Sequence, residues 1–221
     1  MSKILCIFFV LLCLPVFSVF GQARSAVVYR MPPGIEPADM IRVRGFSGIG
    51  SRSVVTTPVF NTSVGRGARS PQEWQYLHLQ YEVLIPWIDE MTVQFFVLSM
   101  GSDPETGENV FSLFQRNVRY VDIEGGRSGR EGQRSADAFL RPAALRRFGR
   151  VVAAAAVVTI NGQVVAQEQE VDRNAPALPE TWWQDDRVIR SDAVTIRDGY
   201  LLDRTETPWS IINYDDAEFI R

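Results

Sequence analysis

Between Trp74 and Met100 the chain reads WQYLHLQYEVLIPWIDEMTVQFFVLSM, and this stretch limits its fold most sharply. Leu77, Leu79, Tyr81, Val83 and Ile85 alternate with Tyr76, His78, Gln80 and Glu82. That is the period-2 pattern of a half-buried strand. Met91 to Leu98 is apolar on both parities, with Phe95 and Phe96 adjacent, as expected of a strand covered on both faces. Pro86 has no backbone N–H to give a ladder. The segment from Pro86 to Glu90 is therefore expected to break the pattern and to join the two strands into a tight hairpin at the centre of the core. This is a scaffold signal and names no chemistry.

The first residues belong outside that scaffold. Met1-Ser2-Lys3 is a positive start, Ile4 to Phe20 an apolar run, and Gly21-Gln22-Ala23 a set of small residues. The pattern is that of a secretory signal peptide over residues 1–23, cleaved after Ala23. A retained anchor is the competing reading, weakened by Pro15 inside a run at the short limit for crossing a bilayer. A lipoprotein is disfavoured because Leu12 precedes Cys13. Cleavage removes Cys6, Cys13 and Lys3, so the mature chain has no disulfide, no thiol and no lysine. Its 22 arginines then face 26 Asp and Glu, a net charge of −4. Mild acidity predicts no nucleic-acid partner, because such partners call for a clustered basic surface. A disulfide-free exported chain suits a bacterial periplasm, outer membrane or cell surface.

Along the chain, residues 24–40 hold several prolines and read as an extended leader. A strand is expected from Ile41, with Ile41, Val43 and Gly45 on one face. Gly45, Gly48 and Gly50 resemble a phosphate-cradling loop only superficially. Such a loop needs a helix after it, and Ser51–Thr57 reads as a strand, leaving a glycine-bearing bend. Asn61-Thr62-Ser63 matches a glycosylation sequon. Gly101 to Asn109 is an acidic loop whose Asp103, Glu105 and Glu108 lack the spacing of a helix–loop–helix calcium site. Val110 to Ile123 reads as a strand whose parity changes near Phe114, suggesting a bulge there. Glu124 to Arg134 reads as a linker. Ser135 to Phe148 competes for helix, with Pro142 in a first turn and Gly149 as a stop. Val151 to Ile160 and the run after Asn161-Gly162 form a hairpin, since both turn residues tolerate positive φ. From Asp172 on the pattern loosens, with short edge strands expected at Val188–Ile196 and Tyr200–Leu202. Trp182, Trp183, Trp209, Ile211, Ile212 and Tyr214 are too apolar for a free tail. This arm is expected to pack on the domain or on a neighbouring subunit.

Chemistry is sparse. His78 is the sole histidine; on a strand face it reads as a structural residue, with a general base or metal ligand as the sharper alternative. No His/Cys cluster suits zinc, and no nucleophilic triad suggests itself. Acid pairs occur at Asp89-Glu90, Asp185-Asp186 and Asp215-Asp216. They would support glycoside hydrolysis only if held across a cleft. Trp74, Trp87, Trp182, Trp183 and Trp209 could form a stacking face for sugar rings, or could cap the core and anchor the arm. No catalytic, cofactor-binding or metal-ligating residue is assigned.

Short strands with turns between them, one short helix and no long periodic helix predict a mainly β, antiparallel β-sandwich. The segments WQYLHLQYEVLIPWIDEMTVQFFVL, RPAALRRFG and YLLDRTETPWSIINYD resemble an immunoglobulin-like exported protein of type IV pilus-related clusters in mucin-degrading gut bacteria. The resemblance covers most of the mature chain. It implies an immunoglobulin-like sandwich over residues 41–170, a C-terminal arm over residues 171–221, and a non-catalytic role in pilus assembly or at the cell surface. Its implied partners are other pilus or envelope proteins, with a homo-oligomer through a sheet edge or the arm, and a surface glycan as the alternative ligand. A pilin proper keeps an N-terminal apolar helix with a Glu near its start. Here the apolar run holds no acid, so an accessory or surface component is expected.

Overall fold

A computed structural model describes residues 34–57, 71–125, 132–210 and 218–219. The expected signal segment, the sequon at residues 61–63, Ile211, Ile212, Tyr214 and the Asp215-Asp216 pair lie outside the described residues. The strands are β1 (Ile41–Ser47), β2 (Val54–Thr56), β3 (Glu73–Val83), β4 (Trp87–Ser102), β5 (Asn109–Glu124), β6 (Gln133–Leu140), β7 (Arg150–Ile160), β8 (Gln163–Val171), β9 (Val194–Ile196), β10 (Leu201–Asp203) and β11 (Glu218–Phe219). Helix α1 (Pro142–Phe148) joins β6 to β7, and α2 (Asp186–Ile189) precedes β9.

Two sheets face each other as a sandwich. In the first, β1 and β2 lie in line along one edge of β3, followed by β6 and β10. In the second the order is β5, β4, β7, β8, with β9 and β11 on the outer edge of β5. The pairings are antiparallel except β5 with β9, which is parallel.

The main correction concerns Trp74 to Met100. Its two strands do not pair as a hairpin; β3 belongs to one sheet and β4 to the other. The chain turns a corner so that their apolar sets oppose each other across the core. Leu77, Leu79 and Tyr81 of β3 meet Met91, Val93 and Phe95 of β4 in one buried cluster. Alternation records which side of a strand is buried and carries no information on its ladder partner. The break is also shorter than expected, because Trp87 already pairs with Glu124 of β5 and only Leu84, Ile85 and Pro86 lie between the strands.

The second sheet is covered on both sides, which explains its unbroken apolar runs. Val93, Phe95, Ala154, Ala156 and Val158 face the first sheet. Phe96, Leu98, Leu113, Val152, Ala155 and Val157 face the other way and are covered by Trp182, Trp183, Leu178, Val188 and Ile189 of the arm. Trp182 is 0% exposed and Trp183 3%, their rings 5.7 Å apart and perpendicular. Of the small alanines of β7, Ala153 and Ala155 belong to the face against which these indoles pack.

This double cover also removes the expected bulge at Phe114. The β4–β5 register runs through that position without a shift. Leu113 is buried under the arm and Phe114 in the core. Parity changes instead at Asp122, whose φ is 53°. A bulge is found in β1, between Val43 and Gly45, and it leaves Phe46 rather than Gly45 packed on the core. Ser51–Ser53 is a 3-10 turn, not strand. Ser135 to Leu140 is strand β6; the helix is confined to Pro142–Phe148 and stops at Gly149 (φ 85°). A Cβ at Gly149 would meet the Met100 carbonyl oxygen at 2.1 Å. Val188 lies in α2, so only Val194–Ile196 of the expected edge strand forms. The β7–β8 turn has Asn161 and Gly162 at φ 51° and 77°, the paired positive values that a two-residue hairpin turn requires.

Candidate interaction surface

The corner between β3 and β4 sends alternate side chains in opposite directions. Ile85 and Ile88 turn into the core. Leu84 and Trp87 are left 42% and 41% exposed, and Pro86 between them is also exposed. The backbone here is pinned on both flanks. The Leu84 N–H donates to the Met40 carbonyl at 2.8 Å, and the Gly125 N–H donates to the Pro86 carbonyl at 2.8 Å. The corner is therefore a fixed apolar apex. Trp presented at low entropic cost on a fixed frame is the side chain most enriched at interface hot spots.

A second feature occupies the outer face of the first sheet. The β3–β6 register sets Tyr76 opposite Phe139 and His78 opposite Asp137. An aromatic row results: Trp74 meets Trp209 edge-on at 5.5 Å, Trp209 stacks on Phe139 at 5.2 Å, Phe139 lies 5.0 Å from Tyr76, and Tyr76 stacks on His78 at 5.2 Å. At its end, Asp137 Oδ1 accepts from the Tyr76 hydroxyl at 2.8 Å and faces His78 Nδ1 at 2.7 Å. Two lone pairs at that separation would repel, so Nδ1 carries the proton. Ser135 Oγ donates to Asp137 Oδ2 at 3.3 Å. The Asp137 N–H, beyond the reach of β10, donates to the Tyr120 hydroxyl of the other sheet at 3.1 Å. Burial, reinforced by the Asp137 charge, pushes the Tyr76 hydroxyl well above its ordinary pKa, so it stays a donor.

The remaining sequence candidates are dispersed. Of the five tryptophans, Trp74 and Trp209 meet on the first sheet, Trp182 and Trp183 lie under the arm, and Trp87 stands at the corner. A shared stacking face for all five is thereby overturned, because two are buried against β4 and β7. Glu90 pairs with Arg119 at 2.5 Å, Asp185 caps α2 and pairs with Arg187 at 2.6 Å, and Asp186 pairs with Arg190 at 3.2 Å. Asp103 closes its own turn by accepting from Glu105 N and Thr106 N. Those two hydrogen bonds hold its carboxyl below the usual range. Among the described residues no group of three or more His, Cys, Asp or Glu side chains is placed to hold a metal ion. The bend after β1 holds a carboxylate from its own chain: Glu170 Oε2 accepts from Gly48 N and Ile49 N.

Asp137 is hidden in the sequence because Ser135 to Phe148 competes for helix, and only the β3–β6 pairing sets it opposite His78. Also hidden is Arg116, which reaches Asp203 and Glu206 at 2.5 and 2.9 Å. Arg116 is one of several charged residues in β5, and no sequence signal singles it out.

No curated protein matches the chain. Among solved structures, a crystal structure of a protein from Akkermansia muciniphila matches with a TM-score of 0.61 and 22% identity, covering 82% of this chain and 93% of that one. At that identity the likeness speaks to the fold, a two-sheet β-sandwich. A protein-family model matches residues 51–220, which is most of the chain, and the chain belongs to that family.

Proposed function

We propose that this chain is an exported, non-catalytic component of the bacterial cell surface that acts by protein–protein contact in a type IV pilus-related assembly. The observation that carries the reading is the β3–β4 corner, where a fixed backbone holds Leu84 and Trp87 out to solvent beside a buried core. Isolated apolar side chains on a surface are ordinary, but a Trp and a Leu flanking an exposed Pro on one rigid turn make a contiguous anchor. The resemblance to immunoglobulin-like exported proteins of pilus-related clusters, and the apolar start of the sequence, support the same location. Affinity capture from membrane extract with the mature chain, residues 24–221, tests the reading. Recovery of pilus or envelope proteins by the wild type, lost with L84S/W87S, is the expected result; equal recovery by both contradicts it.

A glycan-binding role is the second reading, favoured by the Trp74, Trp209, Phe139 and Tyr76 row on an outer sheet face. Sugar rings stack on such faces through their apolar C–H surfaces. Tryptophan fluorescence that shifts on adding mucin glycans in the wild type and not in Trp209→Ala supports it. An unchanged spectrum rejects it.

A further inference from the structure

One end of the sandwich carries both signs of charge and neutralises them only in part, through the Arg150–Asp172 pair at 2.7 Å. Helix α1 crosses this end between β6 and β7, pinned where Ser99 Oγ donates to the Phe148 carbonyl at 3.1 Å. Arg141, Arg146 and Arg147 are exposed on and beside it. Their partners are neutral: Arg146 donates to Gln72 Oε1 at 2.9 Å, Arg147 to the Tyr200 hydroxyl at 3.4 Å, and Arg147 and Arg197 lie 5.2 and 5.1 Å from the Phe148 ring. None of these four arginines is ion-paired with a carboxylate among the described residues, although arginines elsewhere are. In a chain of net charge −3, a group of guanidiniums left to amide, phenol and benzene partners is a surface waiting for acid.

The acid stands at the same end. The β4–β5 tip, residues 103–108, leaves the sheet just past Met100 and Gly101, against which α1 ends. Asp103 is consumed by its own turn, but Glu105 and Glu108 are exposed and unpaired among the described residues. Beside Arg146 the surface offers a receptacle. A groove of about 250 Å³ is lined by Pro71, Gln72, Glu73, Pro142, Leu145 and Arg146. Its proline and leucine walls suit Pro104, and Arg146 at its rim suits Glu105. Glu73 is the one carboxylate in the lining, and Arg141, Arg146 and Arg147 outnumber it nearby.

We propose that this end docks on the same end of a second copy of the chain, the 103–108 tip of each protomer seated in the α1 groove of the other. A two-fold axis makes such a contact self-complementary, since each protomer supplies both the acidic tip and the arginine groove. Attraction between exposed charges is screened by salt, so the dimer forms at low ionic strength and separates at high ionic strength.

Sedimentation velocity on the protein purified after export tests this. The set comprises the wild type, R141E/R146E, E105R/E108R, and an equimolar mixture of the two variants, with thermal midpoints measured to verify folding. The wild type is expected to be dimeric at low salt and monomeric at high salt. Each variant alone is expected to be monomeric, because its tip and its groove then place like charges at the positions that were exchanged. The mixture is expected to recover a dimer containing one copy of each, since every tip then faces a groove of the opposite sign at positions 141 and 146. A wild type monomeric at every salt concentration overturns the proposal. So does a dimer that persists in either variant, or a mixture that stays monomeric.

Discussion

Glu170 ties the two sheets together through one carboxylate. It sits on β8 of one sheet and accepts the N–H groups of Gly48 and Ile49, at 2.8 and 3.0 Å, from the bend between β1 and β2 of the other. Those amides have left the ladder, so the carboxylate is their replacement acceptor. As an inward-pointing charge at a sheet margin it also discourages a stray strand from adding there. Glu170→Ala is expected to lower stability by about 1–3 kcal/mol, the range for losing hydrogen bonds to a charged group, read from urea unfolding; Glu170→Gln should lose less. Asp203 gives a pH signature. Burial pushes its carboxyl up, and hydrogen bonds from Thr205 and Arg116 outweigh that and hold it below the ordinary range. Because the folded value is the lower one, its contribution is complete above the unfolded carboxylate range, about pH 4. It is lost as pH falls through the folded value. Acid titration of the unfolding free energy should therefore show a smaller loss below that range in Asp203→Asn than in wild type.

The arm from Asp172 to Ile196 lies against the outer face of β4 and β7. Trp182 and Trp183 are its main anchors. Removing a buried Trp of this size costs about 3–5 kcal/mol, so Trp182→Ala is expected to lower the unfolding midpoint sharply in a thermal melt. In the opposite sense, Ala155→Leu should overpack the same interface and cost about 1–3 kcal/mol. Most of the strands were legible in the sequence because burial leaves a period of two, and the β7–β8 turn was legible because Asn-Gly is suited to paired positive φ. Two features were not legible for physical reasons. Leu113-Phe114 has the appearance of a bulge when only one face is assumed buried, yet it is a regular strand once the arm covers the second face. Ser135 to Leu140 contains Ala, Phe and Leu, which serve a helix as well as a fully buried strand, and only pairing with β3 and β10 decides between them.

For the whole molecule, the sandwich was predictable and the sheet membership of β3 and β4 was not. Neighbouring strands most often pair, and here the corner at Leu84-Ile85-Pro86 splits them across the core instead. In sequence that corner has the appearance of a tight hairpin turn, and its exposed Leu84 and Trp87 become visible as a surface only because Ile85 and Ile88 turn inward. The proposed contact role follows from this placement. It is tested most directly by replacing Trp87 with a photo-reactive residue in cells that export the protein, with Gln169 on exposed β8 as the control position. Cross-links from position 87 to pilus or envelope proteins, absent from position 169, are the predicted result. If position 87 gives no adduct, or the same adducts as the control, the corner is not the contact and the proposed function is contradicted.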